Sequence, residues 1–397
     1  MTRRLPRQRL QMVVFHTLYA LLVALLRAQE VDQRRNDRVL WYMDPSRRNT
    51  YLARLRSAPA HRMKRTLRVT PTQFDQLLAL LQLKPLPSAS ADVQLAIFLS
   101  FVGAGDVYSS ICEKLECNRF TVSRLIHRVL EAILVNNKRF MPTLPGPEAP
   151  AKLADNPKFW PFFKGCIGAI DGSLVPIALR GVEEDHRHVW RCRKAFFAQN
   201  VMVAVDFDMS FRFVFAGFEG SAHDTRVLQK AREAGFATPE GCFWLADAGY
   251  SGSDPLLLTP YQKVRYHLNE WQGAPNQPAN KKELFNLRHA SLRNVVERSL
   301  RVLKARFRLL AAERRGLSMA DQIRLTYACV YLHNFLNANG ADPEAEADAL
   351  GVPVRRDCEQ PASALEAVVG NKRRDRIAGD MWQAYGRCTA MRDVMEQ

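Results

Sequence analysis

No two cysteines in this 397-residue chain stand at the Cys-x-x-Cys spacing. The eight cysteines (Cys112, Cys117, Cys166, Cys192, Cys242, Cys329, Cys358, Cys388) are scattered, and several lie in apolar runs, where a free thiol behaves as a small buried hydrophobe. That distribution argues against a zinc module or a disulfide framework and fits a reducing compartment. His186 and His188 near Cys192 have no further Cys or His at ligand spacing, so they read as surface-loop residues rather than a metal cluster. Long apolar runs are also scarce. The one candidate, Met12 to Leu26, follows a basic start (Arg3, Arg4, Arg7, Arg9) in the manner of a signal segment. His16 and Thr17 interrupt it, no clear small-x-small cleavage site follows, and it falls short of the roughly 18–20 residues a spanning helix needs. A core or interface helix is expected there, with secretion or membrane attachment as the alternative, and no membrane partner is expected.

Negative charge is the other shortage. Against 57 Lys and Arg stand 40 Asp and Glu, a net charge of +17. A balance of that size indicates a polyanionic partner, nucleic acid first, because Lys and Arg that neutralise phosphates give salt-sensitive affinity. The alternative is a soluble basic protein with no such partner. A hydrophobic content of 47% and a charged content of 24% exclude a disordered chain, and the length allows two or three domains. The run Lys372-Arg373-Arg374-Asp375-Arg376 has the form of a nuclear-import signal, and a nuclear location is expected.

The N-terminal third reads as helical. A segment at 1–59 leads into a helical region at 60–141, where Thr70-Pro71 caps a helix with Phe74, Leu77, Leu78 and Leu81 on one face. Val93 to Val102 is a second apolar helix, ended by Gly103 and Gly105. Val107–Leu115, a joint at Glu116-Cys117-Asn118, and Arg119–Leu134 then form a helix-turn-helix pattern over about 107–134. In its second helix Val122, Ile126, Val129 and Ile133 make a buried stripe, and Arg119, Arg124 and Arg128 fall on other faces as candidate DNA contacts. Two packed helices with a solvated charged face are the alternative. The Pro-rich stretch 142–162 reads as a linker.

Beyond it the pattern changes. Gly165–Asp171 is a strand candidate, and Val201–Phe207 and Phe211–Phe218 read as a hairpin around Asp208-Met209-Ser210. Asp224–Ala234 reads as a helix, Cys242–Asp247 and Val264–Leu268 as strands, Asn294–Leu310 as a long helix, and Thr326–Leu336 as another, begun near Ser318. The expected fold class is α/β, a mixed sheet flanked by helices over 163–337, preceded by the all-helical region. The segment 338–397 is Ala/Asp/Glu-rich after Gly340 and is expected to be a loosely ordered tail.

Three acidic residues carry the candidate chemistry. Asp171 and Asp247 end short apolar runs, and Glu297 lies inside a helical one, one step round from the stripe of Val296, Leu300, Leu303 and Phe307. Cleaving a phosphodiester requires an activated nucleophile and a stabilised leaving oxygen beside a polyanion. Two Mg²⁺ ions about 3.5–4 Å apart meet both needs, and Mg²⁺ takes oxygen ligands while keeping waters. Two strand-end aspartates and a helix glutamate suit that task. Arg293, Arg301 and Lys304 share the side of Glu297, so Glu297 alone would read first as half of a surface ion pair; the two aspartates overturn that, and Arg301 and Lys304 read as cations for a DNA backbone.

The run Gly168-Ala169-Ile170-Asp171-Gly172-Ser173, then Arg193-Lys194-Ala195-Phe196 with Gln199-Asn200-Val201, then Gly220-Ser221-Ala222-His223-Asp224-Thr225-Arg226-Val227-Leu228, occur in a telling order. Leu245-Ala246-Asp247-Ala248-Gly249-Tyr250 follows, then Phe285-Asn286-Leu287-Arg288-His289-Ala290, Val295-Val296-Glu297-Arg298 and Lys304-Ala305-Arg306-Phe307-Arg308. By these motifs the chain resembles the PIF/Harbinger class of DDE transposases, strongly over 165–337 and more weakly over 60–135. The resemblance implies an RNase H-like fold whose triad positions are Asp171, Asp247 and Glu297, with Mg²⁺ or Mn²⁺ as cofactor. Asp224 matches a further acidic position sometimes assigned to the metal site, or else caps its helix, and His223 is expected to be structural. The implied activity is cleavage of double-stranded DNA at element ends, followed by strand transfer. The alternatives are a domesticated DNA-binding protein that keeps the fold without catalysis and a generic RNase H-type hydrolase acting on RNA. The resemblance also implies a separate Myb-like DNA-binding partner, and nothing in this chain looks like a Myb domain; an oligomer is compatible with the sequence. Departures from the pattern are few: Ala195 where the family often has Gly, Ala248 before Gly-Tyr, and Ser299-Leu300-Arg301 in place of a small-aromatic-Gly run.

Overall fold

The computed structural model describes residues 45–146, 148, 150–250, 254–266, 277–313, 316–340 and 368–395, together with position 29. The apolar run Met12–Leu26 lies outside the described residues. No described helix is long and apolar enough to cross a membrane.

Six helices open the described chain: α1 (Pro45–Ser57), α2 (Ala60–Leu67), α3 (Pro71–Leu81), α4 (Ala91–Leu99), α5 (Tyr108–Leu115) and α6 (Arg119–Val135). Their ends are set by local chemistry. Thr70 Oγ1 accepts from the Gln73 N–H at 3.2 Å and Gln73 Oε1 accepts from the Thr70 N–H at 2.9 Å, a closed capping box in front of Pro71. α4 is buried all round, and the side-chain N–H groups of its one amide, Gln94, donate to the Lys84 and Ala89 carbonyls. Glu116, in the left-handed region at φ 46°, closes α5, and Asn118 Oδ1 starts α6 by accepting from the Thr121 N–H at 2.7 Å. Val122, Ile126, Val129 and Ile133 of α6 are buried, as their spacing requires.

The sheet has five strands in the order β3-β2-β1-β4-β5: β1 (Cys166–Pro176), β2 (Ala198–Val205), β3 (Phe211–Glu219), β4 (Phe243–Leu245) and β5 (Leu257–Leu258). β1, β2 and β3 form an antiparallel meander, while β4 adds to β1 and β5 to β4 in parallel. The β2–β3 turn is tied by Asp206, which accepts from the Asp208 and Ser210 N–H groups and pairs with Arg212. Gly168 is needed where β1 presses on β2. Its φ is +153°, and a Cβ there would sit 2.1 Å from the Val205 carbonyl oxygen.

Helices cover both faces: α7 (Asp224–Glu233) on one, and α8 (Lys281–Arg306) and α9 (Met319–Ala338) on the other. Asn280 caps α8 by accepting from the Lys282 and Glu283 N–H groups, and Ser318 caps α9. The molecule is thus mixed α/β, as the sequence pattern requires. One apolar core runs from Leu52 in α1 through α6 to α8, α9 and the facing side of β1 and β2.

Several expectations are corrected. The first strand does not end at Asp171 but continues to Pro176, because β2 pairs with it in register from Ala169↔Val205 to Pro176↔Ala198. Residues 264–266 form no strand; the Val264 and Arg265 carbonyls are taken by the Asn286 side chain, and 267–268 lie outside the described residues. The Glu297 helix begins at Lys281, well ahead of Asn294. A helix, α10 (Val368–Met395), replaces the loose tail over those residues, with Ile377, Ala378 and Met381 in the core. Within the basic run at 372–376, Arg373 stacks over Phe243, Arg374 stacks over Tyr261 and donates to the Pro260 carbonyl, and Asp375 accepts from the Tyr261 hydroxyl, while Lys372 and Arg376 are exposed.

Candidate active site

β1 and β4 pair in parallel only as far as Ala169↔Leu245. Just past that point the two strands stop sharing hydrogen bonds, and each carries an aspartate: Asp171 within β1 and Asp247 two residues beyond β4. In β1, Ala169, Asp171, Ser173 and Val175 alternate onto the face covered by α8. Glu297 projects from the middle of α8, so three separate elements bring the three predicted acids together.

They converge on one side chain, Arg293, a turn before Glu297 on α8. Its guanidinium lies 2.9 Å from Asp171 Oδ1, 3.7 Å from Asp247 Oδ2 and 2.9 Å from Glu297 Oε1. The Arg293 side chain is only 6% exposed, whereas those of Asp171, Asp247 and Glu297 are 21, 31 and 37% exposed. The cation is therefore beneath and the acids form the wet rim. Burial works against charge on Arg293, but Asp171, then Tyr266, Asp247 and Glu297, outweigh it and hold its pKa well above the ordinary value. Asp171 is pushed up to about 8 by burial; Arg293 pulls it down, and Asp247, Glu297 and Asp224 push it up.

Sequence reasoning placed Arg293 beside Glu297 alone and missed that it serves the whole cluster. The missed signal is a polar ladder on the buried side of α8: Asn286, His289 and Arg293, spaced three and four apart. Asn286 Oδ1 accepts from the Tyr261 N–H at 2.8 Å, and its amide donates to the Tyr261, Val264 and Arg265 carbonyls, fixing that loop. His289 Nε2 lies 2.9 Å from the Leu258 carbonyl and so carries the proton, leaving Nδ1, 3.4 Å away, to accept from the Tyr266 hydroxyl. Burial lowers the His289 pKa to about 4, so the ring stays neutral beside Arg293.

Asp224 reaches the cluster from the other side of β1. It stands at the first position of α7, with His223 as the N-cap residue, so the expectation that Asp224 itself caps the helix is corrected. A Cβ built on Gly172 would meet Asp224 Oδ1 at 3.1 Å and Asn200 Oδ1 at 3.4 Å, and one on Gly249 would meet Asp224 Oδ2 at 3.6 Å. The two glycines of the aspartate motifs therefore let Asp224 close on the backbone next to Asp171 and Asp247. Asn200 is 5% exposed, and its Oδ1 is buried with no hydrogen-bond partner.

Among the described residues no three His, Cys, Asp or Glu side chains are grouped around one point as metal ligands, because the acids stand around the guanidinium instead. The donor set still fits a hard divalent cation: the acids offer only oxygens, burial and then the neighbouring carboxylates raise Asp171 in a way a cation would offset, and Asn200 offers an unsatisfied buried oxygen. His186 and His188 are exposed on a 3₁₀ turn (Glu184–Trp190), and Cys192 is buried, in line with a loop role.

The five basic side chains predicted to meet DNA each have an internal contact. Arg119 lies over the Tyr108 ring, Arg124 donates to Ser88 Oγ, and Arg128 donates to the Lys84 carbonyl. Arg301 is 3.6 Å from Glu297, and Lys304 donates to Ser173 Oγ at 2.7 Å and to the Leu174 carbonyl, bolting α8 to β1. Phe120, beside Arg119 at the start of α6, is 77% exposed.

Residues 170–334 match a family model described as DDE superfamily endonuclease, and residues 46–135 match one described as a domain of unknown function. The chain is 27% identical over 264 residues to "Protein ALP1-like" of Arabidopsis thaliana, across 62% of this chain and 61% of that protein. It is 26% identical over 279 residues to "Putative nuclease HARBI1" of Rattus norvegicus, across 68% of this chain and 73% of that one. The Homo sapiens protein of the same name is 24% identical over 262 residues, 64% of this chain and 69% of its own length. The match thus reaches less than two thirds of the Arabidopsis relative. No solved structure matches the chain. With Asp171, Asp247 and Glu297 all inside the matched span, residues 170–334 are a DDE superfamily endonuclease domain of the HARBI1-like kind.

Proposed function

We propose that this chain is a divalent-metal-dependent DNA endonuclease of the transposase type, with Asp171, Asp247 and Glu297 as its catalytic acids. The observation that carries the reading is that those three carboxylates, from β1, the end of β4 and α8, all face one guanidinium, that of Arg293, with their outer edges partly open. The match to a DDE superfamily endonuclease and the nuclease name of the HARBI1 relatives support it, and the mixed sheet with helices on both faces supports an RNase H-like assignment. The net charge of +17 supports DNA as the substrate. The α5–α6 pair, with its tight joint at 116–118, supports a helix-turn-helix that lays α6 on duplex DNA, with Arg119, Arg124 and Arg128 close to the backbone and Arg301 and Lys304 beside the acids. The boundaries proposed are a helical segment to 59, a helical region at 60–141, a linker at 142–162 and a catalytic domain at 163–337. A nuclear site of action, self-association and a Myb-like partner that reads the target sequence belong to the same reading.

Mg²⁺ or Mn²⁺ would be held by Asp171, Asp247 and Glu297, with Asp224 as a further ligand. When bound, the ions supply charge neutralisation at the phosphodiester and lower the pKa of water. The chain's own part is positional. β1 and β4 hold the two aspartates at a fixed gap, α8 brings Glu297 across it, and Lys304 keeps α8 seated on β1. Cleavage forms one P–O bond from water and breaks the P–O3′ bond, leaving a 5′-phosphate and a 3′-hydroxyl. That hydroxyl is the nucleophile for joining to a target strand at an element end.

Asp171→Asn tests the reading. It is expected to abolish Mn²⁺-dependent cleavage of duplex DNA while leaving folding and DNA binding intact, with an RNA–DNA hybrid cut poorly by either protein. Equal cleavage by wild type and variant overturns the assignment. The second reading, a DNA-binding protein that keeps the fold without catalysis, is favoured by one observation, the hold of Arg293 on all three acids. Sequence-specific binding by wild type with no nicking under any divalent metal would establish it.

A further inference from the structure

We propose that Arg293 is the resident counter-ion of the acid cluster, a positioning residue that keeps the three carboxylates gathered when no divalent ion is bound and that competes with the ion for them. This inference rests on the metal-dependent reading above. Three facts carry it. A single guanidinium contacts all three acids, at 2.9, 3.7 and 2.9 Å. It is the most buried member of the group, so it approaches from the protein side while the acids keep their outer edges open to solvent. Its Nε is buried with no hydrogen-bond partner, and its ion pairs run from the two terminal nitrogens to the acids.

The neighbours fix that position. Val296 and Leu292 on α8 are buried to either side, and the neutral His289 ring, held by the Leu258 carbonyl, stands one turn back, so the guanidinium has a defined seat at the sheet. Such an arrangement solves a specific problem. Three carboxylates held together without a cation repel one another and would splay; an internal guanidinium keeps them in place in the empty enzyme. The consequence is competition. An ion binding at the acids must draw carboxylate oxygens off Arg293, so its apparent affinity is lowered by the fraction of molecules in which the acids are released. A threshold of this kind would let bound DNA phosphate, which adds negative charge at the same rim, favour loading of the ion.

Titration calorimetry of the full chain with MnCl₂ tests the idea without relying on cleavage. If Arg293 holds the acids in about nine molecules of ten, Arg293→Gln should bind Mn²⁺ about tenfold more tightly than wild type, have a lower metal-free melting temperature, and gain more from Mn²⁺ than wild type does. Arg293→Lys, which keeps the charge but not the planar fork, should tighten binding by a smaller factor; it also provides the reading if Arg293→Gln does not fold without metal. An unchanged or weaker Mn²⁺ affinity in both variants overturns the proposal. Asp171→Asn separates the two levels. Wild-type binding that is lost in Asp171→Asn but not tightened in the Arg293 variants leaves the metal site standing and removes only the counter-ion role. Mn²⁺ binding indifferent to Asp171 removes both.

Discussion

A single methyl group distinguishes the glycines that build the sheet from those that build the site. At Gly168 a Cβ would fall 2.1 Å from a backbone carbonyl, with φ in the region L-residues avoid, and neither neighbour can yield. Gly168→Ala is expected to cost upward of about 3 kcal/mol of stability. At Gly172 the Cβ would meet the tips of two side chains, Asp224 and Asn200, at 3.1 and 3.4 Å. Gly172→Ala should therefore fold with a loss under about 1.5 kcal/mol, yet lower metal-dependent cleavage about 10- to 100-fold by moving Asp224. Thermal melts and cleavage rates on the pair check this; cleavage unaffected by Gly172→Ala would remove Asp224 from the site. That these three acids come together was legible at this scale, because each stands inside a recognisable motif, although Asp171 lies within its strand rather than at its end. Arg293 was not, because nothing in the spacing says that an arginine a turn before a glutamate also reaches two strands. One departure now has a physical meaning. Ala195 sits at φ 64°, where the family's usual glycine is at no disadvantage.

Among the elements, α6 and α9 share the most informative junction. His127 Nε2 lies 3.2 Å from Asp321 Oδ2, its Nδ1 donates to the Ser123 carbonyl at 2.8 Å, and Arg324 pairs with both Asp321 and Glu131. Burial disfavours the charged ring, but the Ser123 carbonyl and Asp321 outweigh it, and the His127 pKa is raised above 6.5. Asp321 is lowered from 3.8: burial opposes the charge, and the Ser318 hydroxyl, His127 and Arg324 prevail. The His127 contribution is full below pH 6.5 and fades as pH rises through the raised value. That of Asp321 is present above 3.8 and is lost as pH falls through the lowered value. The bridge is therefore strongest between the two. With the ring 40% exposed, it is worth a few tenths of a kcal/mol, about the scale of a solvent-screened pair. Urea melts of wild type and His127→Ala should differ most near pH 5–6 and converge by pH 8; a constant gap across that range would contradict the account. The hairpin, α6, α7 and α9 were readable from periodicity and capping. The early half of α8 was not, because Asn286, His289 and Arg293 interrupt its apolar stripe on the buried side. β5 was missed since two residues hold no pattern, and α10 since its charged run hides the buried Ile377, Ala378 and Met381.

At the scale of the molecule, the helical region and the sheet share one core, so the Pro-rich segment at 142–162 marks a change of architecture without separating two independent bodies. α6 is thereby held at a fixed orientation to the acids, through α9 and the core. A basic chain with a rigid helical flank and a partly open acid cluster is suited to grip a phosphate backbone and cut it at one place. The sequence could announce the charge and the acids; it could not announce that the acids share one internal cation, which arises only when β1, β4 and α8 meet. The most direct measurement is nicking of supercoiled plasmid by wild type, Asp171→Asn, Asp247→Asn and Glu297→Gln, each in Mn²⁺ and in chelator. Mn²⁺-dependent nicking by wild type and a loss of at least about 100-fold in each variant are expected, with all four proteins folded. Wild-type nicking that persists in chelator, or any one variant cutting at the wild-type rate, would contradict the catalytic assignment of the three acids.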